Sequence, residues 1–167
     1  MLIILGGLPG SGKTSIARDL ARRLGAVHLR IDTIEQALRE TGKVVQSMED
    51  AGYQVAYVVA EDNLRLGRTV IADSVNPIAI TREAWQAVAE RAGVRAVEVE
   101  ILCSDEDENR RRVETRAPDI PGFALPTWDA VVARHYEPWD TADVVIDTAD
   151  CDLDDAVARL LSRLQAI

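Results

Sequence analysis

Cysteine is scarce in this chain: Cys103 and Cys151 are the two present, far apart in 167 residues. Isolated thiols of this kind suit reduced core or surface positions better than a disulfide or a metal site. Histidine is equally thin, with His28 and His135 alone, which argues against a zinc site. The apolar run at the start, Leu2-Ile3-Ile4-Leu5, stops at Gly6; it is too short for a membrane span or a signal peptide and reads as a strand. Positive charge is outnumbered, with a formal net charge of −9. A polyanion would be repelled overall, so extended nucleic acid is not an expected partner, whereas a small phosphorylated ligand needs only a few local cations. Repeats, low-complexity linkers and a second core are also missing. What remains is the expectation of one soluble domain over residues 1–167, with 47% apolar residues and no targeting segment, hence a cytoplasmic location.

Against this plain background one stretch stands out: Gly7-Leu8-Pro9-Gly10-Ser11-Gly12-Lys13-Thr14, followed by Ser15. It has the G-x-x-x-x-G-K-[ST] pattern between an apolar strand and an amphipathic helix, the setting that gives the pattern meaning. Glycines let successive backbone N–H groups converge on phosphate oxygens, and the following helix aims its positive end at the same anion. Lys13 can reach the β- and γ-phosphates, and the Thr14 hydroxyl can ligate Mg²⁺. The residues predict a nucleoside-triphosphate site formed by Gly7, Gly10, Ser11, Gly12, Lys13, Thr14 and Ser15.

Further along, apolar runs alternate with amphipathic stretches, the pattern of βαβ units and a parallel sheet. Strands are expected near 2–5, 27–31, 69–72, 94–103 and 144–146. Helices are expected near 13–24, 32–40, 53–66, 76–93, 105–116, 127–136 and 152–164, with an irregular loop over 41–52. Handedness rules favour a doubly wound five-stranded sheet with helices on both faces, whose ligands sit at the carboxyl ends of the strands.

Three acids follow strands. Asp73 and Asp147 each have the local appearance of a metal-holding acid, with a turn or cap residue as the structural alternative. Asp32 can be the N-cap of the second helix or a general base that takes a proton from an acceptor hydroxyl; spacing leaves both open. Asn76 can contact an acceptor or cap the helix that opens at Pro77. Arg110, Arg111, Arg112 and Arg116 crowd one polar helix, with Ser104 as its expected cap, ahead of a loop carrying Pro118, Pro121, Gly122 and Pro126. They read either as a solvated ladder or as a lid, over about 105–126, whose guanidiniums fold onto the transferring phosphate. Glu98 and Glu100 alternate with valines and read as ordinary edge exposure. His135 to Trp139 can border the site without an assigned role.

Taken together, GLPGSGKTS (7–15), RIDTIEQAL (30–38), VIADSVNP (70–77), CSDEDENRRRVETR (103–116) and VVIDTA (144–149) resemble the P-loop kinases of the nucleoside-monophosphate-kinase-like group. The resemblance is nearest to the branch holding the kinase domain of phage polynucleotide kinase, chloramphenicol phosphotransferase, zeta-type toxins and AAA-like ATP-binding proteins. It implies a three-layer P-loop sandwich, with a parallel sheet in the order 2-3-1-4-5 and a small lid. It also implies ATP and Mg²⁺ as cofactors, Asp32 as catalytic base and Lys13, Arg112 and Arg116 as further catalytic groups. Thr14 and Asp73 would hold the metal, Asp73 being preferred to Asp147 because its strand would flank the first. Asp32, Asp73 and Asn76 would face the substrate.

The expected activity is ATP-dependent transfer of the γ-phosphate to a hydroxyl of a small-molecule acceptor. Transfer to a nucleotide or a nucleic-acid 5′ end is the alternative, and a nucleotide-dependent switch is another. For the switch, the guanine-reading N-K-x-D run is absent and the D-x-x-G at Asp119–Gly122 lies in the proline-rich loop. The length also leaves no room for the second domain of an AAA+ motor.

Overall fold

Successive side chains of a strand point to opposite faces, so an apolar run with no polar interruption must be covered on both sides. β1 (Leu2–Gly6) meets that condition, being buried along its length. Ile3 and Leu5 enter one core with Ile16, Ala17 and Leu20 of α1 (Lys13–Leu24) and with Val157 and Leu160 of α7 (Leu153–Ala166). Leu2 and Ile4 enter the other, with Ala56, Ala60 and Leu64 of α3 (Ala51–Arg65) and Trp85, Val88 and Ala89 of α4 (Ala79–Ala92). The result is a three-layer α/β sandwich.

The computed structural model describes residues 1–42 and 50–166. Its sheet has five parallel strands in the order β2-β3-β1-β4-β5, as the sequence reading anticipated. The strands are β1, β2 (Val27–Arg30), β3 (Val70–Asp73), β4 (Ala96–Leu102) and β5 (Val144–Asp147). The remaining helices are α2 (Ile31–Glu40), α5 (Glu106–Thr115) and α6 (Trp128–Val132). Among the described residues no helix is long and apolar enough to cross a membrane.

Several boundaries differ from expectation for physical reasons. The expected loop over 41–52 falls mostly on 43–49, outside the described residues, and α3 begins at Ala51. α4 begins at Ala79 and not at Asn76, because Asn76 is left-handed (φ 47°) and its carbonyl accepts from Arg82 Nε, which turns the chain before any helix can start. α5 is capped by Asp105, whose carboxylate accepts from the Glu108 N–H at 3.0 Å; Ser104 does not fill that place. α6 ends at Val132, four residues early, because the chain then crosses the sheet ends as a strap drawn down by Arg82.

Glu98 and Glu100 correct the reading more sharply. β4 is an inner strand, and their register partners are Ile4 and Gly6 of β1. Glu98 is buried and accepts from Trp139 Nε1 and Thr141 Oγ1, while Glu100 accepts from the Tyr136 hydroxyl. These carboxylates are internal anchors for the strap, not a wet edge.

Candidate active site

The loop between β1 and α1 is shaped by its glycines. Gly10 is left-handed (φ 87°), and a Cβ there would lie 2.1 Å from Asn109 Oδ1 of α5, so no other residue fits without moving that helix. Gly7 N–H donates to the Val75 carbonyl, tying the loop to the segment after β3. Gly12, also left-handed, is the N-cap of α1 and offers no side chain to its free N–H groups. Ser11 is buried beneath the loop, and Ser15 is exposed in the first turn of α1.

Lys13 is the informative residue. Its side chain is only 9% exposed, yet it forms no ion pair or hydrogen bond among the described residues. Burial pushes its ammonium below the ordinary lysine range; Asp73 and Asp32 oppose this, and Arg116 and Arg30 add to it. A buried cation without a partner, facing uncapped amides at a helix start, is a ready anion site.

Thr14 Oγ1 donates to Asp73 Oδ1 at 3.2 Å, so the structure brings these two predicted metal-holding groups together at the ends of α1 and β3. The second oxygen of Asp73 lies 3.0 Å from His28 Nε2 on neighbouring β2. The residue reading missed His28 in this role; its signal was a histidine two places before the end of β2, which lies beside the strand carrying the acid. Asp147 is occupied elsewhere, accepting from the Ser104 and Ala149 N–H groups at the rim of β5. Hard oxygen donors beside an anion site suit Mg²⁺, and Thr14 and Asp73 fit that ion.

Asp32 is not the cap of α2. Arg30 holds the N-cap position, and Asp32 stands in the first turn, where its charge favours the helix dipole while its carboxylate stays free of the backbone. It lines a cleft of about 1070 Å³ together with Lys13, Thr14, Tyr53, Arg116 and Arg134. That volume matches or exceeds the usual range for one small ligand, about 300–1,000 Å³. Pro9, Arg30, Ser74, Phe123 and His135 are among its other wall residues.

The two lid arginines part company. Arg112 turns away from the cleft: Nε donates to Glu108, and its terminal nitrogens donate to Oγ1 and the carbonyl of Thr148. Thr148 Oγ1 also lies 3.0 Å from the Ser11 carbonyl, so Arg112 braces the phosphate loop from outside. Arg116 follows the end of α5 in extended conformation, outside the helix that was expected to run to 116. It lines the cleft, and its buried Nε has no partner among the described residues. Burial lowers its pKa, with Arg30 adding to that and Asp32 and Asp119 resisting.

Asn76 also departs from expectation. It is fully buried and donates to the Leu5 carbonyl at 2.8 Å, so it locks the turn after β3 and does not reach an acceptor. The strap over 133–139 supplies what the residue reading could not assign. Arg82 donates to the carbonyls of Asn76, Glu137 and Pro138 and lies 4.6 Å above the Trp139 ring. This fixes the segment that carries Arg134 and His135 to the cleft.

The family profile described as AAA domain matches residues 2–138. The chain belongs to this family of P-loop kinases. It is 30% identical to the shikimate kinase of Bordetella pertussis over 170 residues, covering 98% of this chain and 78% of that protein. Kti12 of Chaetomium thermophilum, solved with ADP-AlF3, superposes with a TM-score of 0.70 at 22% identity, covering 98% of both chains. The APS kinase of Mycobacterium tuberculosis, solved with AMPPNP and APS, gives a TM-score of 0.64 at 22% identity, covering 98% of this chain and 96% of that one. The last two are likenesses of fold.

Proposed function

We propose that this P-loop kinase transfers the γ-phosphate of ATP to a hydroxyl of a small-molecule acceptor. The observation that carries the reading is Asp32. A carboxylate that is not capping its helix stands in the same cleft as an unpaired Lys13, with Arg116 in charge reach of both. Phosphoryl transfer needs little covalent chemistry from a protein; it needs positioning and charge stabilisation.

Lys13 and the loop N–H groups would hold the triphosphate, and Asp32 would orient the acceptor hydroxyl and accept its proton. Arg116 would neutralise charge on the transferring group. Mg²⁺, held by Thr14 and Asp73, supplies charge neutralisation on the phosphates when bound. Arg112 acts on loop geometry in this reading and not on the phosphate. At the acceptor end, Tyr53 and Phe123 offer apolar surface, and Arg134 forms no ion pair among the described residues, which suits an acceptor bearing an anionic group. The Bordetella pertussis relative is a shikimate kinase, which is consistent with a small-molecule acceptor.

The test is a screen of hydroxylated metabolites for transfer of labelled γ-phosphate, with Lys13→Ala as the blank and oligonucleotide 5′ ends included. Transfer to a small hydroxylated acid supports the proposal. Transfer confined to oligonucleotides, or hydrolysis indifferent to every acceptor, would sink it.

A further inference from the structure

The proline-rich loop after α5 sits on the body of the molecule through one carboxylate. Asp119 Oδ2 accepts from Arg30 at 2.8 Å and from Arg18 of α1 as well. Ile120 beside it is buried, and a Cβ on Gly122 would come within 2.9 Å of Gln36 on α2, so the loop packs against the body of the molecule just beyond Asp119. Burial raises the Asp119 pKa, but the hydrogen bonds from Arg30 and Arg18 outweigh it and hold the acid at about 2, so the group is a full anion at neutral pH.

Arg30 is therefore shared. Its side chain is 8% exposed, one nitrogen is hydrogen-bonded to Asp119, and another lies 3.5 Å from Asp32 Oδ2, within ion-pair range but not hydrogen-bonded. Its Nε has no partner among the described residues. Two carboxylates share one guanidinium through different terminal nitrogens, and with one of these committed to Asp119 the two-nitrogen fork is not free to close on Asp32.

We infer that Asp119 is a positioning residue: by seating the closed loop on Arg30 it keeps that guanidinium from clamping the Asp32 carboxylate. This rests on the reading of Asp32 as the base. A carboxylate engaged by a guanidinium has its lone pairs occupied and its basicity reduced. When the loop lifts, Asp32 is the carboxylate left in range of Arg30 among the described residues. Loop closure thus shuts out water and frees the base in one movement, and the open enzyme is protected against wasteful hydrolysis.

The charged and titratable groups facing Asp32 are Lys13 of α1, Arg30 of β2, Glu35 of α2, Tyr53 of α3 and Arg116 after α5. Of these, Arg30 is the one hydrogen-bonded to Asp119.

The experiment needs no acceptor. The Asp32 carboxyl carbon is titrated by carbon-detected NMR in the full chain, with and without AMPPNP and magnesium, in wild type, Asp119→Asn, Arg30→Gln, the double variant, Arg18→Ala and Asp119→Glu. Asp119→Asn should lower the Asp32 midpoint by about threefold or more in proton concentration. The same change in the Arg30→Gln background should have less than half that effect. Arg18→Ala and Asp119→Glu should leave the midpoint near wild type and also guard against a folding artefact. An unchanged or raised midpoint in Asp119→Asn overturns the inference, as does an equal shift without Arg30, which would be direct charge removal. A failed acceptor search would sink the kinase reading alone.

Discussion

His28 Nε2 lies 3.0 Å from Asp73 Oδ2, while the other oxygen of the same carboxylate takes the Thr14 hydroxyl. Asp73 is 2% exposed and held from both sides, so its orientation is set before any ion arrives. Partners of this outer kind are worth about 10- to 100-fold in metal affinity. His28→Ala should therefore raise the magnesium concentration needed for ATP binding by about tenfold, with His28→Gln recovering part of it. Magnesium titrations at fixed ATP check this; an unchanged dependence would remove His28 from the site.

Lys13 gives a pH signature. Burial lowers its pKa in the free protein, and a bound triphosphate would raise it again. Affinity for ATP should thus be full below the free-protein value and fall as pH climbs from there toward the bound-state value, with proton uptake on binding in that window. Calorimetry in two buffers of different ionisation enthalpy measures the uptake. Lys13→Ala should abolish both the uptake and phosphoryl transfer.

The fate of the acids and arginines explains how far the residues alone could go. The phosphate loop was legible because its spacing and the flanking strand and helix determine it locally; the sheet order and the choice of Asp73 over Asp147 came from the resemblance of the motifs to P-loop kinases, since Thr14 and Asp73 lie 59 positions apart. Arg112 and Asn76 were misplaced because their partners, Thr148 and Leu5, lie 36 and 71 positions away. Glu98 and Glu100 were misread for the same reason: a carboxylate on an inner strand looks like an edge residue until Trp139 and Tyr136 are seen above it. Asp32 lost its capping role because the cap of α2 falls two residues earlier, at Arg30, a shift that local propensity does not resolve.

Asp32→Asn should lower turnover on the true acceptor by about 100-fold or more and leave ATP affinity near normal. Arg116→Ala should also act on turnover. Arg112→Ala should act on the KM for ATP, since it reaches the loop through Thr148. Steady-state kinetics separate the three; retained turnover in Asp32→Asn would remove it as the base.

Arg82→Leu is expected to destabilise the fold by about 3 kcal/mol, because buried carbonyls of Asn76, Glu137 and Pro138 lose their donor together. Denaturant midpoints measure this. Phosphorylation of the acceptor should suffer as well, since the strap carrying Arg134 and His135 loses its anchor.

The brace running from Arg112 through Thr148 to Ser11, with Asn109 seated on Gly10, has a mechanical corollary. α5 is clamped to the very loop that must grip the nucleotide, so it cannot swing without spoiling that grip. On the reading of the region as a lid, the moving part would then be the short segment beyond Thr115, with α5 as its fixed post.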